Sequence, residues 1–306
     1  MNALLDDTKW ELDNEKSVDG PMRQLIEDLN MNRKKSHETV WRNSIEGNIR
    51  RHPVYPLLLE DPMVRHSTVQ PRGYPGDAEL IDYIYGSDNI RPAIDAASSL
   101  GRRLNQFNVM TPAASAVRSR LRLAATEIDR LAATGSRPHI LSIACGHLRE
   151  AQYLESLPKG QLGRFVGVDQ DPVSLALVRR ESQHYGVEAI QCDARMLLRF
   201  GLSKLGTFDF IYSLGLYDYL SDNAARRLLT TAVNMLNRGG KVWIANFVED
   251  ISSAGYMEAV MDWWLTYRSE DRLRSLAEAI DPGKIATCST FVEPEGNVAL
   301  LEIVRA

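Results

Sequence analysis

The chain has 306 residues, 44% of them hydrophobic and 25% charged, with a formal net charge of -4 and a pI near 5.9. That is enough for one large domain or two modest ones around a real core, and mild acidity without a long basic run argues against nucleic acid as the main partner. No stretch approaches the roughly eighteen apolar residues of a membrane span, and the start Met1-Asn2-Ala3-Leu4-Leu5-Asp6-Asp7 is acidic where a secretory signal is basic, so a cytoplasmic protein is expected.

Residues 1 to about 135 show no strand alternation. Met22 to Leu29 and Ser36 to Ile49 carry apolar residues at helical spacing, with Trp41 and Ile45 four apart. Arg33-Lys34-Lys35 reads as a solvated charged turn of helix. Arg51-His52-Pro53 and Tyr55-Pro56 break the pattern, and a short segment, Leu57 to Val64, follows. The run Gln70 to Asp77 packs two prolines and two glycines around Arg72 and Tyr74, which makes it a rigid loop. Asp77 is placed to cap a helix over Ala78 to Tyr85 that ends at Gly86. Two longer helices are expected over Ile94 to Met110 and Pro112 to Ala133, the second with Thr111 as N-cap and Pro112 at its first position. The polar stretch Thr134 to Pro138 marks a boundary, giving a helical cap over 1–135 and a second domain over 136–306.

The second domain opens on His139 to Glu150, where a buried apolar run (Ile140, Leu141, Ile143) passes into the small residues Ala144, Cys145 and Gly146 and then into a helix start. Arg164 to Asp169 is a second apolar strand ending in an acid, with Gln170 beside it and a helix from Asp171-Pro172. Val187 to Gln191 is a third strand, leading to Cys192, Asp193 and Ala194. Phe208 to Ser213 is a fourth, delivering Leu214 to Tyr219 to its end, and Asn237 to Asn246 is a turn and a fifth strand. Ala254 to Ile280 reads as one or two amphipathic helices with a charged break at Arg268 to Arg272. Ala286 to Val292 and Asn297 to Val304 form a hairpin across Glu293 to Gly296. The three cysteines, Cys145, Cys192 and Cys288, are odd in number and have no metal-ligand spacing; reduced, small buried residues are expected and no metal.

In this order and spacing, these segments resemble the class I S-adenosylmethionine-dependent methyltransferase superfamily. The resemblance implies an α/β fold, a Rossmann-like seven-stranded sheet, with the helical N-terminal part as a lid over the cofactor pocket. The family's glycine-rich first motif falls on Ser142, Ala144, Gly146 and Leu148, where only the middle glycine is kept. Asp169 matches the acid that accepts from the cofactor's ribose, and Asp193 with Ala194 matches the residues at the adenine. Ala144, Cys145, Gly146, Glu150, Gln170 and Ser213 would line the cofactor, with Arg72 and Tyr74 reaching it from the lid. Tyr217, Asp218 and Asn246 stand where the family's catalytic residues project. Of the two tyrosines in that turn, Tyr219 is expected to be the core residue and Tyr217 to face the cofactor's sulfonium. Asp218 reads as a base, an orienting group or a ligand for an ammonium, since Ser221 and Asp222 serve the following helix as its cap.

Three activities remain open at this point. The first is methyl transfer from S-adenosylmethionine to a small molecule. The second is the reaction of azetidine-2-carboxylate synthases, which the helical cover and the tyrosines also resemble, in which the cofactor's own amine displaces methylthioadenosine. The third is binding without catalysis.

Overall fold

The computed structural model describes residues 1–14, 17–193 and 205–306, the side chain of Glu46 apart. They fall into two compact units, Met1–Ser115 with Asp250–Trp264, and Ala116–Glu249 with Leu265–Ala306.

The first unit is helical. A helix over Asp19–Lys35 buries Pro21, Met22, Leu25, Ile26 and Leu29 on one face, the stripe that the spacing of apolar residues predicts. The segment Asp250–Trp264, distant in sequence, belongs here because its short helix Ala254–Ala259 packs closely on that stripe. A Cβ added at Gly255 would lie 2.6 Å from the Leu29 carbonyl, so only glycine allows the approach. Buried Glu258 then accepts from Arg33 Nε at 2.9 Å and from Trp41 Nε1 at 2.8 Å, and Arg50 pairs with Asp262 at 2.7 Å. Arg33 is thus a buried-carboxylate partner rather than part of a solvated turn.

Several helices are shorter than the sequence pattern suggests. The helix expected over Ser36 to Ile49 starts after His37, whose ring accepts from Thr39 N, and its last turn, Ile45–Ile49, widens to a π-helix. The one expected over Ile94 to Met110 is two, Arg91–Asp95 and Ser99–Asn108, because Ser98 caps the second through Gly101 N. A helix over Asn2–Asn14 was not anticipated. The Gln70 to Asp77 loop is as tight as its composition demands. Gln70, Gly73 and Gly76 are all left-handed, and Asp77 caps Ala78–Tyr85 through Leu80 N while its carboxylate holds His66 Nε2 at 2.9 Å.

The second unit is a seven-stranded sheet: β1 His139–Ile143, β2 Arg164–Asp169, β3 Val187–Gln191, β4 Phe208–Ser213, β5 Leu236–Phe247, β6 Ile285–Val292 and β7 Val298–Arg305. The order is β3-β2-β1-β4-β5-β7-β6, with β1 to β5 parallel and β7 antiparallel to both β5 and β6. The near-continuous apolar character of β1, β2 and β4 follows from cover on both faces. The core gathers Leu141, Ile143, Val166, Val168, Ile211 and Ile244 with the apolar face of the helix Asp222–Asn234. Most of the helix Pro112–Ala132 goes with this unit, so the unit boundary falls near residue 116. Among the described residues no helix is long and apolar enough to cross a membrane.

Asp61 is the most demanding group of the helical unit. Wholly buried, it caps the helix Pro62–Val69 through Met63 N and accepts from the side-chain amides of Asn105 and Asn108 at 2.9 and 2.7 Å. Burial pushes its carboxyl up to about 6 despite those hydrogen bonds. Between the unfolded value of about 3.9 and that folded value, the unfolded chain releases its proton first, so stability falls as pH rises across this window. Asp61→Asn removes that contribution: urea unfolding at a series of pH values should show a shallower decline between pH 4 and 6 than wild type, by on the order of 2 kcal/mol over the window.

Candidate functional site

Chain direction across the sheet reverses between β1 and β4, since β2 lies on one side of β1 and β4 on the other. In open parallel sheets a ligand crevice forms there, outside the carboxyl ends of the strands. The residues that the sequence singles out in the sheet unit, where described, stand along this edge.

The turn after β1 is strained. Ala144, Gly146 and Leu148 all have positive φ, at 55°, 53° and 50°, a conformation that costs the two non-glycine residues free energy. Three bonds from backbone N–H groups hold it: Cys145 N to Val168 O at 3.0 Å, Gly146 N to the Asp169 side-chain Oδ2 at 2.8 Å and Leu148 N to Cys145 O at 2.8 Å. Cys145 packs against β2, where a Cβ at Gly167 would meet its Sγ at 3.0 Å. Burial, with the Asp169 and Glu150 charges behind it, pushes the Cys145 thiol well up, so it stays protonated. The helix expected after the turn is a 3-10 segment, Arg149–Tyr153. With Gly146 N spent on Asp169, the turn offers a ligand close backbone approach.

Asp169 is 7% exposed and accepts from Gly146 N and from Asp171 N, while its backbone carbonyl accepts from Cys192 N. Burial raises its carboxyl pKa, with those hydrogen bonds opposing. Gln170 is exposed and contributes its carbonyl to Gln191 Nε2; Asp193 is half-buried. Ala194 lies outside the described residues. Glu150 is buried at the join of β1 and β4, accepting from Tyr212 Oη at 2.6 Å and from Ser142 Oγ at 3.4 Å, and burial raises its pKa. Ser213 ties the same two strands by donating to Ile143 O at 3.0 Å. Arg149, also buried, pairs with Glu181 at 2.8 Å.

Beyond β4 the burial expected of the two tyrosines is reversed. Tyr217 is fully buried in the core cluster, its hydroxyl without a partner among the described residues, while Tyr219 is 37% exposed. The physical reason is the 3-10 turn Tyr217–Tyr219, which turns position 217 inward before Ser221 caps the helix Asp222–Asn234. Asp218, 2% exposed, accepts from Phe247 N at 2.7 Å and stands 3.8 Å from Arg120 Nη1. Burial pushes its carboxyl up to about 6 against the pull of Arg120. Asn246 donates to Phe247 O and Thr266 O and accepts from Arg268.

Arg268, read in the sequence as part of a charged break, is wholly buried and joins these pieces. It donates to Tyr217 O, Leu220 O and Asn246 Oδ1 and pairs with Asp222. Tyr217 and Asn246 are thereby bonded to one guanidinium. Nothing in the local pattern around Arg268 marks it as buried. Tyr212 and Arg120 were also missed, but each carries a signal: Tyr212 alternates with Phe208 and Phe210 on β4, and Arg120 falls in the buried helical stripe of Ala116, Val117 and Ala124. Arg72 and Tyr74 lie in the helical unit, where Arg72 lines an open groove of about 960 Å³ with Glu60, Arg65, His66 and Tyr83 and stands 3.8 Å from Glu79.

Residues 140–240 match the sequence model of the family described as Methyltransferase domain. No curated protein sequence matches the chain. Among solved structures, a possible exported protein from Bordetella parapertussis is similar at a TM-score of 0.54 and 17% identity, with 84% of this chain and 98% of that one covered. Magnesium protoporphyrin IX methyltransferase from Synechocystis PCC 6803, with bound S-adenosylhomocysteine, follows at 0.47 and 14%, covering 75% and 100%. The N-methyltransferase NodS from Bradyrhizobium japonicum WM9 is at 0.43 and 16%, covering 60% and 86%. At 17% identity the likeness to the Bordetella protein is one of fold.

Replacing Arg268 with Met strands two buried oxygens, on Tyr217 and Asn246, and a half-buried one on Leu220, without their donor. Arg268→Met should cost about 3–5 kcal/mol in urea unfolding; a loss below about 1 kcal/mol would mean that the clamp is incidental.

Proposed function

We propose that this chain, which carries a class I S-adenosylmethionine-dependent methyltransferase domain, transfers the methyl group of that cofactor to a small molecule. The observation that carries the reading is Asp169. It sits at the carboxyl end of β2 beside the strained turn after β1, and an ionised carboxylate offers about four acceptor positions. Two backbone N–H groups take up part of that capacity, which leaves acceptor positions for the paired hydroxyls of a ribose. The small residues Ala144, Cys145 and Gly146 suit close approach of a ligand to the backbone, and Asp193 suits an adenine amino group. The carboxylate acceptors and the small-residue turn therefore fit the cofactor.

The cofactor supplies a methyl group on a positively charged sulfur that is already a good leaving group. What remains for the protein is positioning, exclusion of water and removal of the acceptor's proton. Asp218 is the proposed proton acceptor. A carboxyl pKa of about 6 leaves it mostly ionised at neutral pH yet more basic than an exposed aspartate, and the bond from Phe247 N fixes one oxygen. Tyr217 and Asn246 act on it at a distance, through the geometry of the turn that Arg268 holds. A small acceptor is favoured over nucleic acid by the net charge of -4.

Purified protein incubated with S-adenosylmethionine alone and followed by mass spectrometry is the direct test. The cofactor should bind and stay intact until an acceptor is added, and S-adenosylhomocysteine should then appear. Methylthioadenosine with a new small amino acid, formed without any acceptor, would replace methyl transfer by intramolecular cyclisation.

Asp169→Ala should weaken S-adenosylhomocysteine binding about tenfold or more in calorimetry, the worth of hydrogen bonds to a charged acceptor. Unchanged affinity would remove Asp169 from the cofactor site.

A further inference from the structure

Arg120 lies on the helix Pro112–Ala132 and is 4% exposed. Its Nε and Nη1 have no hydrogen-bond partner among the described residues. A guanidinium carries five N–H donors and stays charged at any physiological pH, so burying it with donors unmet is expensive, and such groups call for an explanation. Its surroundings identify where the missing acceptor belongs. A Cβ at Gly215, in the turn after β4, would lie 3.5 Å from Arg120 Nη2, and the guanidinium carbon is 5.7 Å from the centre of the Phe247 ring at the end of β5. Arg120 therefore faces the carboxyl edges of β4 and β5.

Asp218 does not discharge it. At 3.8 Å the nearest approach of the two groups is too long for a hydrogen bond, and Asp218 directs its other oxygen at Phe247 N. A buried ion pair repays its desolvation only when hydrogen bonds complete it, and here none joins the two partners and Nε and Nη1 of Arg120 have none. The other buried guanidinium of this edge, Arg268, shows the contrast: its donors are taken up by Tyr217 O, Leu220 O, Asn246 Oδ1 and Asp222.

We propose that Arg120 anchors a carboxylate carried by a ligand bound at the carboxyl edges of β4 and β5. A planar carboxylate matches the fork of a guanidinium, accepting from Nε and Nη2 along one edge or from Nη1 and Nη2 along the other, so either bidentate contact meets one of the two unmet donors. The same chemistry has two sources, the amino acid head of the cofactor or a carboxylate on the acceptor. The proposal rests on the cofactor reading given above.

The test compares wild type with Arg120→Gln and Arg120→Lys, using ligands that neither methylate nor cyclise. S-adenosylhomocysteine and its decarboxylated analogue differ only in the carboxylate, and methylthioadenosine, which lacks the whole amino acid head, reports that the nucleoside site is folded. If the cofactor is the source, wild type prefers S-adenosylhomocysteine to the decarboxylated analogue about tenfold or more. Arg120→Gln loses that preference and Arg120→Lys keeps part of it, with methylthioadenosine affinity unchanged in both. If the acceptor is the source, the preference is the same in all three proteins, and benzoate binds S-adenosylhomocysteine-saturated wild type in ligand-observed NMR but not saturated Arg120→Gln. Retention by Arg120→Gln of both the preference and the benzoate signal, or absence of both from wild type, overturns the anchor. Should Arg120→Gln fail to bind methylthioadenosine, Arg120→Lys decides, because it keeps the charge and loses the fork: wild-type behaviour in both assays then overturns the anchor, and a selective loss for carboxylates supports it. Failure of wild type to bind any of the nucleosides would instead sink the cofactor reading on which the proposal stands.

Discussion

The hydrogen bond from Gly146 N to the Asp169 carboxylate closes the turn after β1 onto the end of β2. Together with the bonds from Cys145 N to Val168 O and from Leu148 N to Cys145 O, it holds Ala144 and Leu148 in left-handed conformations that neither side chain favours. The same carboxylate accepts from Asp171 N, at the start of the next helix, while the Asp169 carbonyl takes Cys192 N from the segment after β3. One residue thus ties together the carboxyl ends of three adjacent strands. Gly167 completes the arrangement from the other side, since a larger residue there would press on Cys145 and push the turn outward. The strain is concentrated at the carboxyl end of β1, and the acid that sustains it is the one we propose to receive the ribose hydroxyls.

A second buried group organises the other half of the edge. Arg268 brings the turn after β4, the end of β5 and the start of the helix Asp222–Asn234 onto a single guanidinium. Because a planar fork has fixed donor directions, it sets distances between carbonyls that loops alone would leave adjustable. Asp218 inherits its position from this clamp on one side and from Phe247 N on the other.

Most of the sheet was legible because its strands are short apolar runs separated by turn residues, and the terminal hairpin because Glu293-Pro294-Glu295-Gly296 is turn chemistry between two alternating segments. The acids at strand ends were legible as well, since a polar residue closing an apolar run has few reasons to be there. What sequence could not show depends on contacts distant along the chain. Asp250–Trp264 joins the helical unit through Gly255, Glu258 and Asp262, whose partners Leu29, Arg33, Trp41 and Arg50 are some two hundred residues away. Arg268 looks like a surface charge because two of its four partners are backbone carbonyls, which leave no trace in composition, and the other two, Asp222 and Asn246, are distant in sequence. The exchange of Tyr217 and Tyr219 has a smaller cause, a single 3-10 turn where helical and extended spacing both predict something else.

The charges of the carboxyl edge are divided along it. At the β1 and β2 ends, Asp169 and Glu150 are buried carboxyls with hydrogen-bond donors but, among the described residues, no cationic partner, since buried Arg149 pairs with Glu181; burial raises their pKa values. At the β4 and β5 ends, Arg120 and Arg268 are buried cations facing Asp218 and Asp222, of which only the second is properly hydrogen-bonded to its guanidinium. Burial weakens the screening that would erase such a division in water. The two regions then favour opposite groups: hydroxyl and cationic donors over β1 and β2, and acceptors over β4 and β5. A ligand with donors at one end and a carboxylate at the other would be oriented by the protein's own field before any shape-specific contact formed, and the orientation would be lost by neutralising either end.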